Sequence, residues 1–361
     1  MKYYRLTRIL KENALYNIIY SERSNGKTYA ALEYGIEQYF KHGYELAVIR
    51  RMEDDFLKNR GSQLFANLVS NGVVEKLSDG KYTEIIYKNR RWYFSYWDDE
   101  KEKRIMCDKP FAYAFAISTM EHDKSTSYPD VKTIVFDEFM SRTGYLNDEF
   151  TLFMNTLSTI IREKDDVKIF MLGNTVNKYC PYFEEMGLTN AGKMKQGTID
   201  VYTYGDTDLT VAVEYAEKTS KGKKSDKYFA FNNPKLKMIT SGEWEIDIYP
   251  HLPVKYKPKE VLYNYFIEFG NDILHCEIIS TDDGAFTFIH RKTTPIKNDK
   301  SDLVYTTRFT NHYPLQRRNL LKSKDKLGRK IYTFFERDKV FYQTNEIGEI
   351  MRNYLMWCSK N

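Results

Sequence analysis

The stretch Ser21-Glu22-Arg23-Ser24-Asn25-Gly26-Lys27-Thr28 decides the fold of this chain. The apolar residues 14–20 before it have the composition of a buried strand, and residues 29–36 after it have that of a helix. A strand, a tight turn with Gly-Lys-Thr and a helix form a phosphate-binding loop. Backbone N–H groups of such a loop converge on one point, and the helix N-terminus adds positive potential there. The stretch therefore predicts a triphosphate site.

The candidate nucleotide-binding residues of this loop are Arg23, Ser24, Asn25, Gly26, Lys27 and Thr28. In ATP chemistry we expect Lys27 to reach the β- and γ-phosphates and the Thr28 hydroxyl to ligate Mg²⁺. The usual motif opens with glycine, whereas this one opens with Ser21. Taken alone, the loop also permits an ordinary strand-to-helix turn.

A second stretch, Thr133-Ile134-Val135-Phe136-Asp137-Glu138-Phe139, is an apolar strand that ends in two carboxylates. Adjacent carboxylates at the end of a buried strand repel each other and lose hydration, so they need a compensating partner. A magnesium ion on Asp137 would be such a partner. Glu138 would then orient or deprotonate the attacking water as a catalytic residue. The alternative is a strand whose polar end faces solvent.

The alternation of strands and helices predicts an α/β fold, with a mainly parallel sheet flanked by helices. An extra strand at 110–118 separates the loop strand from the carboxylate strand in sequence. If it also lies between them in space, the chain has the additional-strand P-loop NTPase arrangement, whose members usually carry their own catalytic glutamate. Asn174, after a strand at 167–172, would sense the γ-phosphate or the water, or would be a turn residue.

Several further elements follow from local patterns. Arg50 and Arg51 end a strand at 45–49, at the edge where open α/β sheets bind phosphate ligands. They could contact nucleotide, a neighbouring subunit or DNA, or form a solvated pair. We also predict a helix at 52–77 with a break at Gly61, a hairpin of 82–88 with 91–96, and a helix at 148–163.

Composition limits the class of protein. The 361 residues are 42% hydrophobic, which suffices for two domains with real cores. No apolar run approaches the eighteen residues of a membrane span, so we expect no membrane partner. The four cysteines are scattered, as in a cytoplasmic protein. The net charge of +5, with the excess in residues 208–361, is compatible with a polyanionic partner.

We predict three segments: an ATPase domain at 1–207, a linker or lid at 208–244 and a smaller α+β domain at 245–361. The linker lysines either stay solvated or touch DNA phosphates nonspecifically; they are Lys218, Lys221, Lys223, Lys224 and Lys227. In the last segment, the predicted strands are 261–269, 273–280, 285–291, 303–309 and 331–335, before a helix at 346–357.

The acidic residues near strand ends of this segment are Glu268, Asp272, Asp282 and Asp283. A metal-dependent nuclease needs several carboxylates that converge on two metal ions. These positions match no nuclease pattern. We therefore expect no cutting activity; that the domain is a degenerate RNase H-like one is what the family resemblance given next implies.

With these residues in view, the chain resembles the DNA-packaging (encapsidation) ATPases of small podoviruses with protein-primed genomes, the phi-twenty-nine-like group. The likeness covers about the first 200 residues and is most specific at Ser127-Tyr128-Pro129-Asp130-Val131-Lys132 together with the carboxylate strand. It also involves Glu22-Arg23-Ser24-Asn25-Gly26-Lys27-Thr28, Ile49-Arg50-Arg51, Thr159-Ile160-Ile161-Arg162, Leu172-Gly173-Asn174 and Pro181-Tyr182-Phe183.

The resemblance implies a homomeric ring, expected to be a pentamer, that works in the host cytoplasm and docks transiently on the portal of an empty capsid (procapsid). It implies ATP-driven translocation of double-stranded DNA. It also implies that Arg162 is an arginine finger in the neighbouring subunit's site, where a guanidinium would neutralise developing phosphoryl charge. The departures are Ser21 and Glu53, the latter at a position that is basic in the family.

Two other functions fit the same residues. One is a nucleotide-dependent assembly or adaptor protein that binds ATP through Lys27, hardly hydrolyses it and uses its basic part to bind a partner. The other is a terminase with an active nuclease. ATPase assays with and without duplex DNA test the first, and plasmid cleavage with Mn²⁺ tests the second.

Overall fold

The computed structural model divides the chain into two compact units, Met1–Trp244 and Glu245–Asn361. The residues that it describes are 3–23, 25–57, 59–122, 126–142, 144–175, 179–205, 207–217, 247–282, 284–297, 300–308, 312–322 and 326–360. Within these ranges, no helix is long and apolar enough to cross a bilayer.

In its described residues, the first unit contains ten strands: β1 (Tyr16–Ser21), β2 (Glu45–Arg50), β3 (Glu84–Lys88), β4 (Arg91–Asp98), β5 (Lys103–Met106), β6 (Ala112–Ala116), β7 (Val131–Asp137), β8 (Lys168–Asn174), β9 (Ile199–Thr203) and β10 (Thr210–Tyr215). The α-helices of the same residues are α1 (Lys27–His42), α2 (Asn59–Gln63), α3 (Ala66–Ser70), α4 (Val73–Leu77), α5 (Glu149–Ile161) and α6 (Pro181–Glu185).

These strands form one sheet in the order β3-β4-β6-β2-β7-β8-β1-β10-β9, with β5 beside β4. Six neighbouring strands are parallel to one another; in spatial order they are β6, β2, β7, β8, β1 and β10. Antiparallel strands extend the sheet at both of its edges. This is the mainly parallel α/β sheet that the sequence predicts. The β3–β4 hairpin is also confirmed.

The strand between the loop strand and the carboxylate strand is β8, which pairs with both β1 and β7. The condition considered from sequence, that residues 110–118 lie between the two strands in space, is not met. Those residues form β6, which pairs with β2 and with antiparallel β4. Sequence order does not report spatial order here, because the chain crosses through α5 from β7 to β8. The additional-strand arrangement itself is present, with a different strand in the middle.

Both faces of this sheet are buried, because successive side chains of a strand point to opposite faces. Ile18 and Phe136 pack in one core cluster, together with Phe153 of α5. Ile19 packs in the other cluster, together with Leu32 of α1. Two apolar layers thus hold the strand ends rigidly at the edge where the candidate site lies.

The region 52–77 is not one helix broken at Gly61, as predicted. It consists of a 3₁₀ turn (Glu53–Phe56) followed by α2, α3 and α4, each five residues long. Trp92 Nε1 donates a hydrogen bond to Gly61 O (2.9 Å), and a Cβ on Gly61 would meet the Tyr87 ring at 2.3 Å. Packing of this segment against the β3–β4 hairpin therefore overrides the helical pattern.

The predicted domain boundary at residue 207 lies too early. Strand β10 pairs in parallel with β1, so it belongs to the first sheet rather than to a linker. Its run Val211-Ala212-Val213 is fully buried against that sheet. The five linker lysines singled out in the sequence lie outside the described residues.

Within its described residues, the second unit has a six-stranded sheet and two α-helices. The strands are β11 (Val261–Phe269), β12 (Asp272–Thr281), β13 (Gly284–Arg291), β14 (Leu303–Thr306), β15 (Leu315–Arg317) and β16 (Val340–Tyr342). Their order is β15-β14-β11-β12-β13-β16. An antiparallel meander, β11-β12-β13, is extended by β14 and β15, which run parallel to β11, and on its other side by β16. Strands and helices are thus both present, as the α+β prediction for this unit requires.

The helices of this unit are α7 (Lys326–Glu336) and α8 (Asn345–Lys360). Residues 331–335, predicted as a strand, lie inside α7. A short apolar run cannot be assigned by periodicity alone. The neighbouring positions decide it: Gly328 and Ile331 are buried one helical turn apart, while Lys330 is exposed.

Candidate nucleotide-binding site

Four parallel strands end at the same edge of the first sheet and bring together residues that are far apart in sequence. In the β-sheet register, Ser21 lies opposite Asn174, and Asp137 lies opposite Leu172. Ile49 lies opposite Phe136, which places Arg50 beside Asp137. The loop after β1 and the carboxylate end of β7 therefore meet, as the sequence predicts.

Lys27 is the first residue of α1 and is buried inside the loop. Its Nζ donates to Ser21 Oγ (2.8 Å), to Glu22 O (3.0 Å) and to Asn174 Oδ1 (3.3 Å). Burial lowers the pKa of Lys27 to about 8, and the charges of Asp137 and Glu22 oppose that shift. The ammonium thus lies among neutral oxygens at the position where a phosphate would be a stronger partner.

Ser21, the departure from the usual motif, helps to hold the loop. Its Oγ accepts hydrogen bonds from Lys27 Nζ and from Asn25 Nδ2 (3.0 Å), and donates one to Glu22 O (3.1 Å). Asn25 Nδ2 also donates to Glu217 O (3.1 Å). A glycine could make none of these side-chain contacts, so Ser21 stabilises this loop conformation.

The remaining predicted loop residues differ in their setting. Gly26 has a left-handed backbone (φ 90°), and a Cβ there would lie 3.3 Å from Tyr3. Glycine is therefore the residue that fits this turn. Arg23 is exposed, and Ser24 lies outside the described residues.

Thr28 and Asp137, the predicted magnesium ligands, are in contact. Thr28 Oγ1 donates to Asp137 Oδ1 (2.8 Å). Arg50 Nη2 forms an ion pair with the other oxygen, Asp137 Oδ2 (2.6 Å). A hydroxyl and a carboxylate are the hard oxygen ligands that Mg²⁺ prefers, so the residues fit the ion. The Arg50 contact was missed, because the sequence left its partner open.

Glu138 directly follows Asp137 and has an exposed side chain at the same edge. Its backbone is left-handed (φ 60°), which is uncommon for a residue with a side chain and clusters at functional sites. Arg51 fixes this backbone, because its Nη1 donates to Glu138 O (3.3 Å) and its Nη2 to Phe139 O (2.7 Å). The structure thus places Glu138 beside the predicted magnesium ligands.

Arg51 is neither a solvated residue nor a free phosphate ligand. Its Nε donates to Glu149 Oε2 (2.7 Å) in an ion pair, and Glu149 is 1% exposed. Tyr182 Oη donates to the other oxygen of Glu149 (2.8 Å), and the Arg51 guanidinium lies over the Tyr145 ring. This buried network ties β2 to α5 beneath Glu138. Glu149 was missed, since an acidic residue at a helix start gives no distinguishing signal.

Arg162 is the one predicted site residue that lies away from this edge. It follows α5, and its Nη2 donates to Thr126 O (2.8 Å). Nearby, Lys164 Nζ donates to Val131 O (2.7 Å), at the start of β7. Asp137 ends that seven-residue strand, about 20 Å from Val131 at ~3.3 Å per residue, so Arg162 lies toward the end of β7 that is away from Asp137.

The acidic residues of the second unit do not converge. Glu268 accepts a hydrogen bond from Tyr313 Oη (3.2 Å), and Asp272 is paired with Arg291. Asp282 follows the far end of β12, ten residues from Asp272, which is about 30 Å at ~3.3 Å per residue. Asp283 lies outside the described residues.

With this geometry described, comparison with known proteins decides the family. The family model for the podovirus DNA encapsidation protein (Gp16) matches residues 1–226. The chain belongs to this family. The family that its motifs predict is therefore confirmed, and the match includes every residue of the candidate site.

Relatives of this encapsidation protein include the DNA packaging proteins of Bacillus phages phi29 and PZA. Each is 28% identical over 184 residues, which cover 50% of this chain and 49% of the relative. The DNA packaging protein of Bacillus phage B103 is 26% identical over 183 residues. The chain thus spans about half the length of the curated relatives it matches.

Two solved structures share the fold over nearly the whole chain. The bacteriophage Phi-29 viral genome packaging motor assembly has a chain with a TM-score of 0.55 and 18% identity, and the match covers 99% of both chains. The Phi-28 gp11 DNA packaging motor has a TM-score of 0.52 and 18% identity, with 99% of this chain and 96% of that chain covered. At this identity, the likeness concerns the fold.

Proposed function

We propose that this encapsidation protein is an ATP-hydrolysing motor that moves double-stranded DNA through the portal into an empty procapsid. The observation that carries the proposal is the meeting of Lys27 and Thr28 with Asp137 and Asn174 at one sheet edge. Membership of the encapsidation family and the packaging function of the phi29 and PZA relatives support the DNA substrate.

Lys27 and Asn174 would bind the phosphates. Lys27 now donates to Ser21 and Asn174, and an anionic γ-phosphate would replace these neutral acceptors with a charge-assisted hydrogen bond. Asn174 would then be released to donate its amide N–H to phosphate or to the attacking water. Both residues start from hydrogen bonds that a nucleotide improves.

Thr28 and Asp137 would hold Mg²⁺, which when bound neutralises charge on the β- and γ-oxygens. Asp137 Oδ1, the oxygen that now accepts from Thr28, would take the ion, while Arg50 can remain on Asp137 Oδ2. The Arg50–Asp137 pair would therefore compensate the Asp137 charge in the nucleotide-free protein.

Glu138 would act as the catalytic base that orients or deprotonates the attacking water. Its exposed side chain projects from a backbone that Arg51 fixes through Glu138 O and Phe139 O. Because this position is preorganised, loss of the carboxylate should remove turnover without removing nucleotide binding.

Arg162 would be an arginine finger that acts on the neighbouring subunit. Its neighbour Lys164 contacts the start of β7, whereas Asp137 ends that strand about 20 Å away at ~3.3 Å per residue, so Arg162 is better placed for a neighbouring subunit's site than for its own. In a homomeric ring, one subunit's amino-terminal edge can face the next subunit's carboxyl edge. A pentamer is the ring size that we propose.

DNA would be gripped mainly through its phosphates, because a packaging motor must accept any sequence. The positive excess of residues 208–361 supports such contacts. We therefore expect DNA affinity to fall steeply as salt is raised, with counterion release as the cause.

Steady-state ATPase of the full chain, with and without duplex DNA, tests this function. Duplex DNA should raise the rate, and Lys27→Ala should abolish it. Lys41→Ala is the matched control, since Lys41 lies on the same helix and is paired only with exposed Glu37. Negligible turnover by the wild-type protein with DNA, despite ATP binding, would instead support the nucleotide-dependent adaptor.

A further inference from the structure

A cluster of two histidines and one carboxylate lies in the second unit, in the middle of its sheet. One potential ligand atom from each of His275, Glu277 and His290 lies within 4.8 Å of the other two. His275 and Glu277 are two residues apart on β12, and His290 lies directly opposite His275 on β13. The nucleotide chemistry described above uses none of these residues.

We propose that His275, Glu277 and His290 bind a divalent first-row transition metal ion of the Zn²⁺ type. Two imidazoles with one carboxylate are a ligand set of known zinc sites, and Zn²⁺ accepts both donor types at about 2.0–2.2 Å. Three protein ligands leave at least one coordination position open. The ion would join β12 to β13 and keep that position for water or an external oxygen ligand.

Neighbouring groups already orient the ligands. His275 Nε2 lies 2.9 Å from Asn264 Oδ1, and a ring N–H donated there leaves the other nitrogen to bind metal. Tyr256 Oη donates to Glu277 Oε2 (2.5 Å). The His275 ring stacks on Phe266 and the His290 ring on Phe288, with centroids 4.9 and 5.4 Å apart. Such support is what holds metal ligands in place.

His290 and Glu277 already face each other. His290 Nε2 lies 3.2 Å from Glu277 Oε2, while His290 Nδ1 lies 3.4 Å from Arg291 O. With the ring proton on Nδ1, Nε2 and the carboxylate oxygen would both offer lone pairs to the same ion.

The exposure of the cluster also suits a metal ion. His290 is 25% and Glu277 15% exposed, so an ion can enter from solvent. The positive charge of nearby Lys292 would oppose a bound cation, but its Nζ donates to Thr294 Oγ1 (3.0 Å).

This site is separate from the acidic residues at the strand ends. Glu277 lies five residues from Asp272 and from Asp282, between the two ends of β12. The metal would therefore neither restore the converging carboxylates of a two-metal nuclease nor depend on nucleotide.

Metal titration of the EDTA-treated, desalted full chain tests the proposal. Isothermal calorimetry with Zn²⁺ should show one site per chain, and Co²⁺ should give visible absorption bands from imidazole ligation. His275→Ala, Glu277→Gln and His290→Ala should each weaken Zn²⁺ binding by about 10-fold or more, and Asn264→Ala by about 10-fold through loss of orientation. His42→Ala, which removes an exposed histidine of the first unit, should leave it unchanged.

Thermal melting in EDTA separates metal binding from folding. Each cluster variant should melt within a few degrees of wild type there, and Zn²⁺ should raise the midpoint of the wild type only. If a histidine variant does not fold, isosteric Glu277→Gln and the wild-type Co²⁺ spectrum decide. Zn²⁺ affinity that is equal in wild type and Glu277→Gln, or a Co²⁺-loaded wild type without imidazole bands, would overturn the proposal.

Discussion

The carboxyl edge of the first sheet and the sheet of the second unit use strand-end carboxylates in opposite ways. In the first unit, parallel β1, β7 and β8 end together, so Lys27, Asp137 and Asn174 meet although they are far apart in sequence. In the second unit, Asp272 begins β12 and Asp282 follows its last residue, so the two carboxylates lie at opposite ends of the same strand. An acidic strand end is a site only where the topology makes several ends coincide.

The two regions also differ in what compensates their charges. Asp137 is buried and already has Thr28 and Arg50 as partners. Asp272 is partly exposed and has a simple ion pair with Arg291. A buried charge whose partners can be displaced is a candidate for ligand binding. An exposed ion pair contributes little to the free energy of unfolding and does not by itself indicate a site.

The largest effect on the ATPase rate should come from Arg162, which we propose acts in the neighbouring subunit's site. Arg162→Ala should lower ATPase by on the order of 10³-fold, because the arginine finger stabilises charge on the transferring phosphoryl. In mixtures with wild-type subunits, activity should fall well below simple dilution. Arg60→Ala is the matched control, since Arg60 is also exposed and also donates to a backbone carbonyl. Loss strictly proportional to the variant fraction would argue against action in trans.

Glu138→Gln should lower turnover by about 10²-fold or more and leave ATP affinity near that of wild type, because a catalytic base is lost and no phosphate contact is. Single-turnover kinetics and equilibrium nucleotide binding measure the two effects. The control is Glu102→Gln, since Glu102 is likewise exposed with a left-handed backbone (φ 45°). Near-normal turnover would remove Glu138 from the chemistry.

Arg51→Gln should lower the free energy of unfolding by about 3–5 kcal/mol, because buried Glu149 would lose its partner. Urea denaturation measures this. Arg104→Gln, which breaks the exposed pair with Glu84, should cost under about 1 kcal/mol. Equal losses in the two variants would contradict the buried network beneath Glu138.

Lys27 should make a smaller contribution to the free energy of unfolding, and this contribution depends on pH. Its pKa is lowered by burial from 10.5 to about 8 in the nucleotide-free protein. Between these values the unfolded state binds more protons, so stability rises with pH across about 8 to 10.5, by at most about 1.4 kcal/mol per pH unit. Urea denaturation of wild type and Lys27→Met across this range isolates the effect as their difference. A difference that falls with pH would contradict the sign.

The second unit should show no cleavage of supercoiled plasmid with Mn²⁺, because its strand-end acids lie too far apart to share two metals. Agarose gels over a time course measure this. Cleavage that Asp272→Asn abolishes would show that these acids do converge in solution.

The site could be predicted from sequence because its signals are local. Gly26-Lys27-Thr28 follows one apolar strand and Asp137-Glu138 ends another, and parallel strands bring such ends to one edge. The identity of the middle strand could not be predicted, since nothing local distinguishes β6 from β8. Arg50–Asp137 and Arg51–Glu149 depend on which strand and helix are neighbours, so residue type alone could not assign them.

A crystal structure with Mg²⁺ and a non-hydrolysable ATP analogue tests the central claim most directly. The account predicts Mg²⁺ on Thr28 and Asp137 and Lys27 on the phosphates. If Thr28 Oγ1 still donates to Asp137 Oδ1 and Lys27 contacts no phosphate at saturating nucleotide, the loop and the carboxylate strand do not form a nucleotide site.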